Sequence, residues 1–174
     1  MNSLREATAA AHQQAEDTLL MKQMLGPGLT KDQYASFLAN HLVCYSAIER
    51  RRHLFDGTDL ARGPALVADI TELGAATLTI VPSAYQYAEY VQTLTDQQLW
   101  AHIYVRYLGD MYGGRLIKKR APGSGRMFEF QDRDELISKI RMAVSIADAA
   151  EANRCFEWVI KIYDEFYNCI RTTS

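Results

Sequence analysis

The sequence predicts an all-α protein, and three observations favour that fold class. Residues suited to cap helices precede apolar stretches of helical period, as in Ser3–Glu6 and Thr30–Gln33. Glycine and proline mark the connections, most clearly in Ala121–Arg126. We also find no segment with the alternation typical of a β-strand. Because the chain has 174 residues and neither repeats nor low-complexity linkers, residues 1–174 are expected to form a single domain.

Seven helices are expected, each identified by its capping residues and its apolar stripe. In chain order, they run from Ser3 to Leu19, from Thr30 to before Gly57, from Pro64 to about Gly74, from a cap at Ser83 and Gln86 through Leu94, from near Asp96 through Lys119, from about Arg133 to Ile146, and from a cap at Asp148 and Glu151 towards the C-terminus.

Composition and charge exclude several classes of function. A net charge of −2 gives no basic surface for nucleic acid. No stretch approaches the roughly 20 apolar residues of a membrane span, and the N-terminus enters a capped helix rather than a signal peptide. Cys44, Cys155 and Cys169 are odd in number and widely spaced. This pattern favours reduced thiols in a cytoplasmic protein over a zinc site or disulfide framework.

The stretch "RYLGDMYGGRLIKK", Arg106 to Lys119, is the most unusual part of the sequence. Gly109, Gly113 and Gly114 stand inside an expected helix, where each glycine costs about 1 kcal/mol relative to alanine. The spacing does not match a phosphate-binding loop, and no strand precedes it as a dinucleotide fingerprint requires. Close helix packing is one explanation. Three glycines in six positions favour the other, a bent helix that lies against a flat ligand.

The first helix offers a candidate ligand for a planar metal-containing cofactor. His12 lies among small alanine residues that would let a ring approach, and Glu16 follows four positions later on the same face. A carboxylate there can accept the second N–H of the imidazole and fix its orientation. A solvated histidine–glutamate pair is the alternative interpretation.

Taken together, these segments resemble the haem oxygenase family. "LREATAAAHQQAE" (residues 4–16) is similar to the proximal helix of that family, and "AHIYVRYLGDMYGG" (residues 101–114), followed by "LIKK", is similar to its distal-helix signature. "YSAIE" (residues 45–49) lies between them in the expected order. The resemblance spans most of the chain, although residues 55–83 are fewer than the family leads us to expect. It is closest to the soluble, biliverdin-producing type found in bacteria and cyanobacteria.

The resemblance implies a multi-helix bundle that holds haem between the first, proximal helix and a glycine-kinked distal helix. His12 would be the axial iron ligand, with Glu16 as its hydrogen-bond partner. Asp110 would anchor water above the iron. The other implied residues would hold that water, contact the haem face or bind the propionates: Tyr45 and Arg106 the water, Gly109, Gly113 and Gly114 the haem face, and Arg5, Tyr104 and Arg141 the propionates.

In the family that it resembles, haem is both cofactor and substrate. Oxygen activated at the iron attacks a meso carbon, expected here to be the alpha carbon, and gives biliverdin, CO and Fe²⁺. A carboxylate that acts through water can supply the proton for this chemistry. The chain has no flavin, nicotinamide or iron–sulfur motif, so an external donor such as a ferredoxin or a reductase is expected to supply electrons. The basic residues around Lys118–Arg120 are either a docking surface for that donor or a solvated helix end.

Departures from the family pattern keep two other hypotheses open. Tyr112 stands next to Gly113, where the family has a smaller residue, and Val159 and Ile137 replace common polar residues. One alternative is therefore a haem-binding carrier or sensor that does not degrade haem. The other is a helical enzyme scaffold for a different small molecule.

Overall fold

The computed structural model describes residues 3–172, and within this range the chain forms α-helices and short 3₁₀ turns without a strand. The all-α prediction is confirmed. The helices are α1 (Leu4–Glu16), α2 (Leu19–Leu25), α3 (Lys31–Glu49), α4 (Gly63–Leu73), α5 (Pro82–Gln92), α6 (Asp96–Lys118), α7 (Arg133–Ala143) and α8 (Ala149–Thr172). The 3₁₀ turns cover Arg52–Leu54, Arg126–Phe128 and Ile146–Asp148.

The capping signals in the first third of the chain are confirmed. Ser3 and Glu6 exchange side-chain and backbone hydrogen bonds at the start of α1, and Thr30 and Gln33 do the same at α3. These reciprocal bonds satisfy amide groups that have no partner inside the helix. Gly74 ends α4 in the left-handed conformation, with φ of 56°, which glycine adopts without steric cost.

Four helix boundaries differ from the prediction. Thr18 adopts an extended conformation and caps α2. The first predicted helix therefore ends at Glu16, and Leu19 begins a separate helix. α5 begins at Pro82 rather than at a Ser83 cap, because proline suits a first turn. α7 stops at Ala143, before Ile146. Asp148 closes the 3₁₀ turn that precedes α8 instead of capping α8.

Two groups of contacts organise the bundle. α3 packs against α4 and α5, and α8 packs against α1, α2, α5 and α6. The larger hydrophobic cluster includes the fully buried Tyr34, Tyr107 and Phe166. A smaller cluster joins α1, α6 and α8 and positions the candidate site. Between residues 3 and 172, no helix combines the length and the apolar character needed to span a bilayer.

Candidate functional site

Most residues that the sequence singled out lie on α1 and α6, which both pack against α8. Buried side chains from the three helices form the floor between them: Leu4, Ala15, Ala101, Val105, Ala152, Cys155, Phe156 and Val159. Beside this apolar floor, α1 and α6 each carry exposed residues, among them His12 on α1 and Gly109 on α6. We call the region between these two exposed faces the cleft.

The three glycines of α6 divide into two groups. A Cβ atom on Gly109 or Gly113 would meet no other atom within 4 Å, and both residues are exposed to the cleft. A Cβ on Gly114 would instead overlap the ring of Phe128. The small size of Gly114 therefore serves packing against Phe128, and its predicted contact with a ligand stays a prediction that this position does not favour. Gly109 and Gly113, which we call the glycine face, give α6 a bare backbone surface on the cleft.

Asp110 lies beside the glycine face and is held by Tyr45 of α3. The hydroxyl of Tyr45 donates a hydrogen bond to Oδ2 of Asp110, and Tyr45 itself is buried. Burial raises the pKa of Asp110 to about 7, although the Tyr45 hydrogen bond and the positive charge of Arg106 oppose the shift. Burial also raises the pKa of Tyr45 well above 10.0, so the phenol remains a donor. Asp110 can therefore hold or release a proton near neutral pH.

Arg106 is buried in the same wall, where Tyr87 of α5 is its partner. Its Nε donates a 3.0 Å hydrogen bond to the hydroxyl of Tyr87, and its guanidinium carbon lies 4.3 Å from the centroid of that ring. No direct hydrogen bond joins Arg106 to Asp110 among residues 3–172, so its influence on Asp110 is electrostatic. Within the same part of the chain, the buried Nη2 of Arg106 has no hydrogen-bond partner. That atom remains available as a donor to a bound molecule.

Tyr87 connects Arg106 to a buried ion pair. The hydroxyl of Tyr87 lies 2.8 Å from Nδ1 of His102, and Nε2 of His102 lies 3.0 Å from Oε1 of Glu151. Burial alone would lower the pKa of His102, but Cys155 and Glu151 raise it to about 9. His102 is thus a charged, fully buried partner of Glu151. These contacts give His102 a structural role within the core.

Sequence reasoning missed three residues near Asp110 and Arg106: Tyr87, His41 and Tyr163. The rings of His41 and Tyr163 stack with centroids 6.2 Å apart. Burial, with a smaller effect of Arg106, lowers the pKa of His41 to about 3, so it is neutral at ordinary pH. Burial also raises the pKa of the Tyr163 phenol. All three occupy apolar stripes, and their helical spacing alone marks them only as core residues.

The α1 side of the cleft carries Arg5, His12 and Glu16 on one exposed face. The side chain of His12 is 53% exposed, and its Nε2 lies 3.6 Å from Oε1 of Glu16. This separation is just beyond a direct hydrogen bond. The imidazole also meets Phe156 of the floor edge to face, with ring centroids 5.8 Å apart. His12 is therefore placed at the floor of the cleft with a ring nitrogen free to bind a ligand.

The rim of the cleft contains the remaining predicted residues. Tyr104 is half-buried on α6, and the exposed Arg141 projects from α7, where its Nη2 donates a 2.8 Å hydrogen bond to the hydroxyl of Tyr112. Ile137 is buried in the core, and Nζ of Lys139 donates to the carbonyl oxygen of Leu54 at 3.5 Å. Arg141 is therefore a cation that α7 offers at this rim.

These features fit a planar, metal-containing ligand with acidic side groups. The glycine face admits a flat ring, His12 can bind a metal from the opposite side, and Arg141 can pair with a carboxylate at the edge. A separate cavity of about 710 Å³ lies on the Gly114 side of α6. It is lined by charged residues such as Arg62 and Arg133 and lacks a histidine. The cleft is the better candidate for a cofactor.

Comparison with known proteins agrees with this geometry. The family model described as Heme oxygenase matches residues 1–162. This chain belongs to the haem oxygenase family. Among curated relatives, the haem oxygenase of Porphyra purpurea is 31% identical, with 97% of this chain and 87% of the relative covered.

Solved structures of haem oxygenases share the fold. Haem oxygenase-2 from Synechocystis sp., in complex with haem and NO, superposes with a TM-score of 0.84 at 25% identity, over 98% of this chain and 86% of that one. Haem oxygenase-1 from the same genus, in complex with haem, gives a TM-score of 0.81 at 24% identity, over 98% and 95% of the two chains. The bundle architecture of this family member is therefore that of haem oxygenases.

Proposed function

We propose that the protein is a haem oxygenase that uses O₂ and external electrons to cleave haem to biliverdin, CO and Fe²⁺. The alpha-meso carbon is the proposed site of cleavage. The observation that carries this proposal is the position of Asp110, a carboxyl with a pKa near 7, beside a glycine face that leaves room for a flat ring. Family membership supports the same reaction.

In this proposal, haem occupies the cleft with His12 as its iron ligand. The exposed imidazole stands on the apolar floor, and Glu16 is close enough to orient it through water or after a small rotation. Arg5, Tyr104 and Arg141 bind the propionates, since charge-assisted hydrogen bonds favour carboxylates at a solvated rim. When bound, haem supplies both the iron that activates O₂ and the carbon that is oxidised.

The chain's own contribution to the reaction is control of protons and space. Asp110 holds a proton and delivers it, through water, to the region above the glycine face. Tyr45 fixes the Asp110 carboxyl by donating to Oδ2. The positive charge of Arg106 opposes the rise in the pKa of Asp110, and its Nη2 donates a hydrogen bond to the water network. Gly109 and Gly113 lack side chains that would block a ligand between α6 and the ring.

The electrons come from a separate redox protein in this proposal, such as a ferredoxin or a reductase. Part of the basic cluster near the end of α6 is already neutralised, because Lys118 pairs with Glu129, and Arg126 pairs with Glu72 at 2.7 Å. Arg115, Lys119 and Arg120 form no ion pair within residues 3–172 and are exposed. We propose these three residues as the docking surface for an acidic donor. We also propose that residues 1–174 act as one domain and that the protein is cytoplasmic.

The alternative of a non-degrading haem carrier or sensor rested on Tyr112 and Val159. Val159 indeed supplies no polar group to the floor. Tyr112, however, is 52% exposed and bonded to Arg141 at the rim, so it does not fill the space beside Asp110. This position favours the oxygenase over the carrier.

Reconstitution with haem tests the proposed function. Purified protein is loaded with one equivalent of haem without oxygen, reduced, and then exposed to air while its absorption spectrum is recorded. A haem oxygenase loses its Soret band and gains the absorption of biliverdin, whose isomer is then identified by chromatography. A carrier keeps its haem spectrum. Asp110→Ala should retain haem yet lose at least about 100-fold in biliverdin yield, the usual scale of an acid–base group.

A further inference from the structure

Tyr112 is an exposed aromatic residue with unusually many contacts. Its hydroxyl accepts a 2.8 Å hydrogen bond from Nη2 of Arg141, so it links α6 to α7 across the rim of the cleft. The guanidinium carbons of Arg133 and Arg141 lie 4.9 Å and 5.9 Å from the centroid of its ring. These distances fall within the range of cation–π contacts. Tyr112 is thus held in place although half of its surface faces solvent.

Arg133 is itself immobilised, which makes this arrangement a fixed support. Its Nε and Nη2 donate to the backbone carbonyl oxygen of Met111 at 3.3 Å and 3.2 Å. The side chain of Arg133 therefore closes one face of the Tyr112 ring and is not available to a ligand. Within residues 3–172, Arg141 makes no such hydrogen bond to the backbone, and its contacts with Tyr112 restrict an otherwise flexible side chain.

The position of Tyr112 on α6 directs it to the rim. Successive residues of a helix are separated by about 100°, so Asp110 and Tyr112 flank the glycine face on opposite sides. The Asp110 side leads inward to Tyr45, whereas the Tyr112 side leads outward to Arg141. A flat ring on the glycine face would have its reacting edge near one side and its charged edge near the other.

We propose that Tyr112 is a positioning residue that holds Arg141 where it receives one haem propionate. A propionate fixed there would restrict how haem can lie in the cleft, and so would limit which meso carbon can face the Asp110 side. The proposal rests on the proposed function. It gives Tyr112 a role in regiospecificity because the other two cations of α7 are engaged by backbone carbonyl oxygens, Arg133 by that of Met111 and Lys139 by that of Leu54.

Paired titrations test this role without requiring turnover. The apoprotein variants Tyr112→Phe and Tyr85→Phe are titrated with haem and with haem dimethyl ester, in which both propionates are esterified. Tyr85 is a matched control, because it is 51% exposed and lies on α5. Tyr112→Phe should weaken haem binding about 3- to 10-fold, the effect of one hydrogen bond, and should leave binding of the ester unchanged. Tyr85→Phe should change neither.

A double variant and the reaction products decide how Tyr112 acts. In an Arg141→Met background, Tyr112→Phe should have no further effect on haem affinity, since its partner is gone. Wild-type protein should give one predominant biliverdin isomer, and Tyr112→Phe a mixture of at least two. Equal losses of affinity for haem and for the ester, or an unchanged isomer ratio in Tyr112→Phe, would overturn the proposal. If wild-type protein opens no haem at all, the proposed function fails, while the titrations still decide whether Tyr112 orients a propionate-binding arginine.

Discussion

The two walls of the cleft differ in how firmly folding fixes their functional groups. On the α6 wall, Asp110 and Arg106 are tied to the buried hydroxyls of Tyr45 and Tyr87. On the α1 wall, the side chain of His12 is 53% exposed, and Glu16 stays 3.6 Å away. The comparison teaches that folding alone fixes the groups that we propose to control protons. His12, the proposed iron ligand, is less constrained by the fold.

The largest effect is expected from removing His12, the proposed iron ligand. His12→Ala should lower haem affinity at least about 100-fold, because even outer partners of a metal ligand typically contribute about 10- to 100-fold. It should scarcely change the free energy of unfolding of the apoprotein, since His12 is exposed. Affinity is measured by absorption titration and stability by thermal unfolding.

His53→Ala is the matched control, because the side chain of His53 is 60% exposed and lies away from the cleft. It should leave the haem spectrum unchanged. Added imidazole should restore a ligated spectrum to His12→Ala by filling the space that the side chain left. If His12→Ala keeps the wild-type spectrum, another residue binds the iron.

The second-largest effect concerns Gly114, which packs against the protein, unlike Gly109 and Gly113. Gly114→Ala places a methyl group against the ring of Phe128 on the packed side of α6 and should destabilise the apoprotein by about 2–3 kcal/mol. Chemical denaturation measures this change. In a Phe128→Leu background, the penalty should shrink because the ring no longer blocks the methyl group. A penalty of the same size in both backgrounds would mean that Phe128 is not the cause.

A smaller effect should follow from the pKa of Asp110 and depend on pH. Its pKa in the fold is raised from 3.8 to about 7, so the folded protein binds this proton more tightly than the unfolded chain. The contribution to stability is therefore fully present below about pH 4 and is lost as the pH rises to about 7. Asp110→Asn should avoid that loss, so above pH 7 its free energy of unfolding should exceed that of wild type by about 1–2 kcal/mol. This value is smaller than the full pKa shift implies, because Asp110 is only half-buried and solvent screens its charge.

Denaturant unfolding at several pH values between 4 and 8 checks this prediction. The difference in unfolding free energy between Asp110→Asn and wild type should grow from pH 4 to 7 and then stay level. Asp134→Asn is the control, because the Asp134 side chain is 99% exposed. A difference for Asp110→Asn that does not vary with pH would contradict the raised pKa.

The smallest predicted effect is a gain in the stability of the apoprotein, whereas Gly114→Ala is expected to lower it. Gly109→Ala and Gly113→Ala meet no neighbouring atom, and alanine is the better helix former, so each should stabilise the apoprotein by up to about 1 kcal/mol. For a chain of this size, that gain corresponds to a rise in Tm of about 2–4 °C. Both variants should bind haem more weakly. Higher stability with unchanged haem affinity would show that the glycine face does not contact the ring.

The success of sequence reasoning depended on how local the determining interactions are. The capping boxes at Ser3 and Thr30 are formed within four residues, and both were predicted correctly. Thr18 was missed as a helix break because its extended conformation interrupts a continuous apolar stripe. Asp148 was misplaced because its carboxylate accepts from the backbone of Ser145 rather than from α8.

At the candidate site, the sequence identified residue types better than their partners. Gly113 and Gly114 differ in their surroundings because Phe128, in the 3₁₀ turn Arg126–Phe128, packs only against Gly114. Arg106 was expected to hold the water network above the iron, but its Nε donates a hydrogen bond to the phenol of Tyr87 from α5. Such pairings between distant helices leave no mark in the spacing of either segment.

A crystal structure of the protein with bound haem tests the central claim most directly. We predict that a ring nitrogen of His12 coordinates the iron, with the opposite face of the macrocycle in van der Waals contact with the backbone of Gly109 and Gly113. Iron bound by another residue, or a glycine face that remains clear of the macrocycle, would contradict the account.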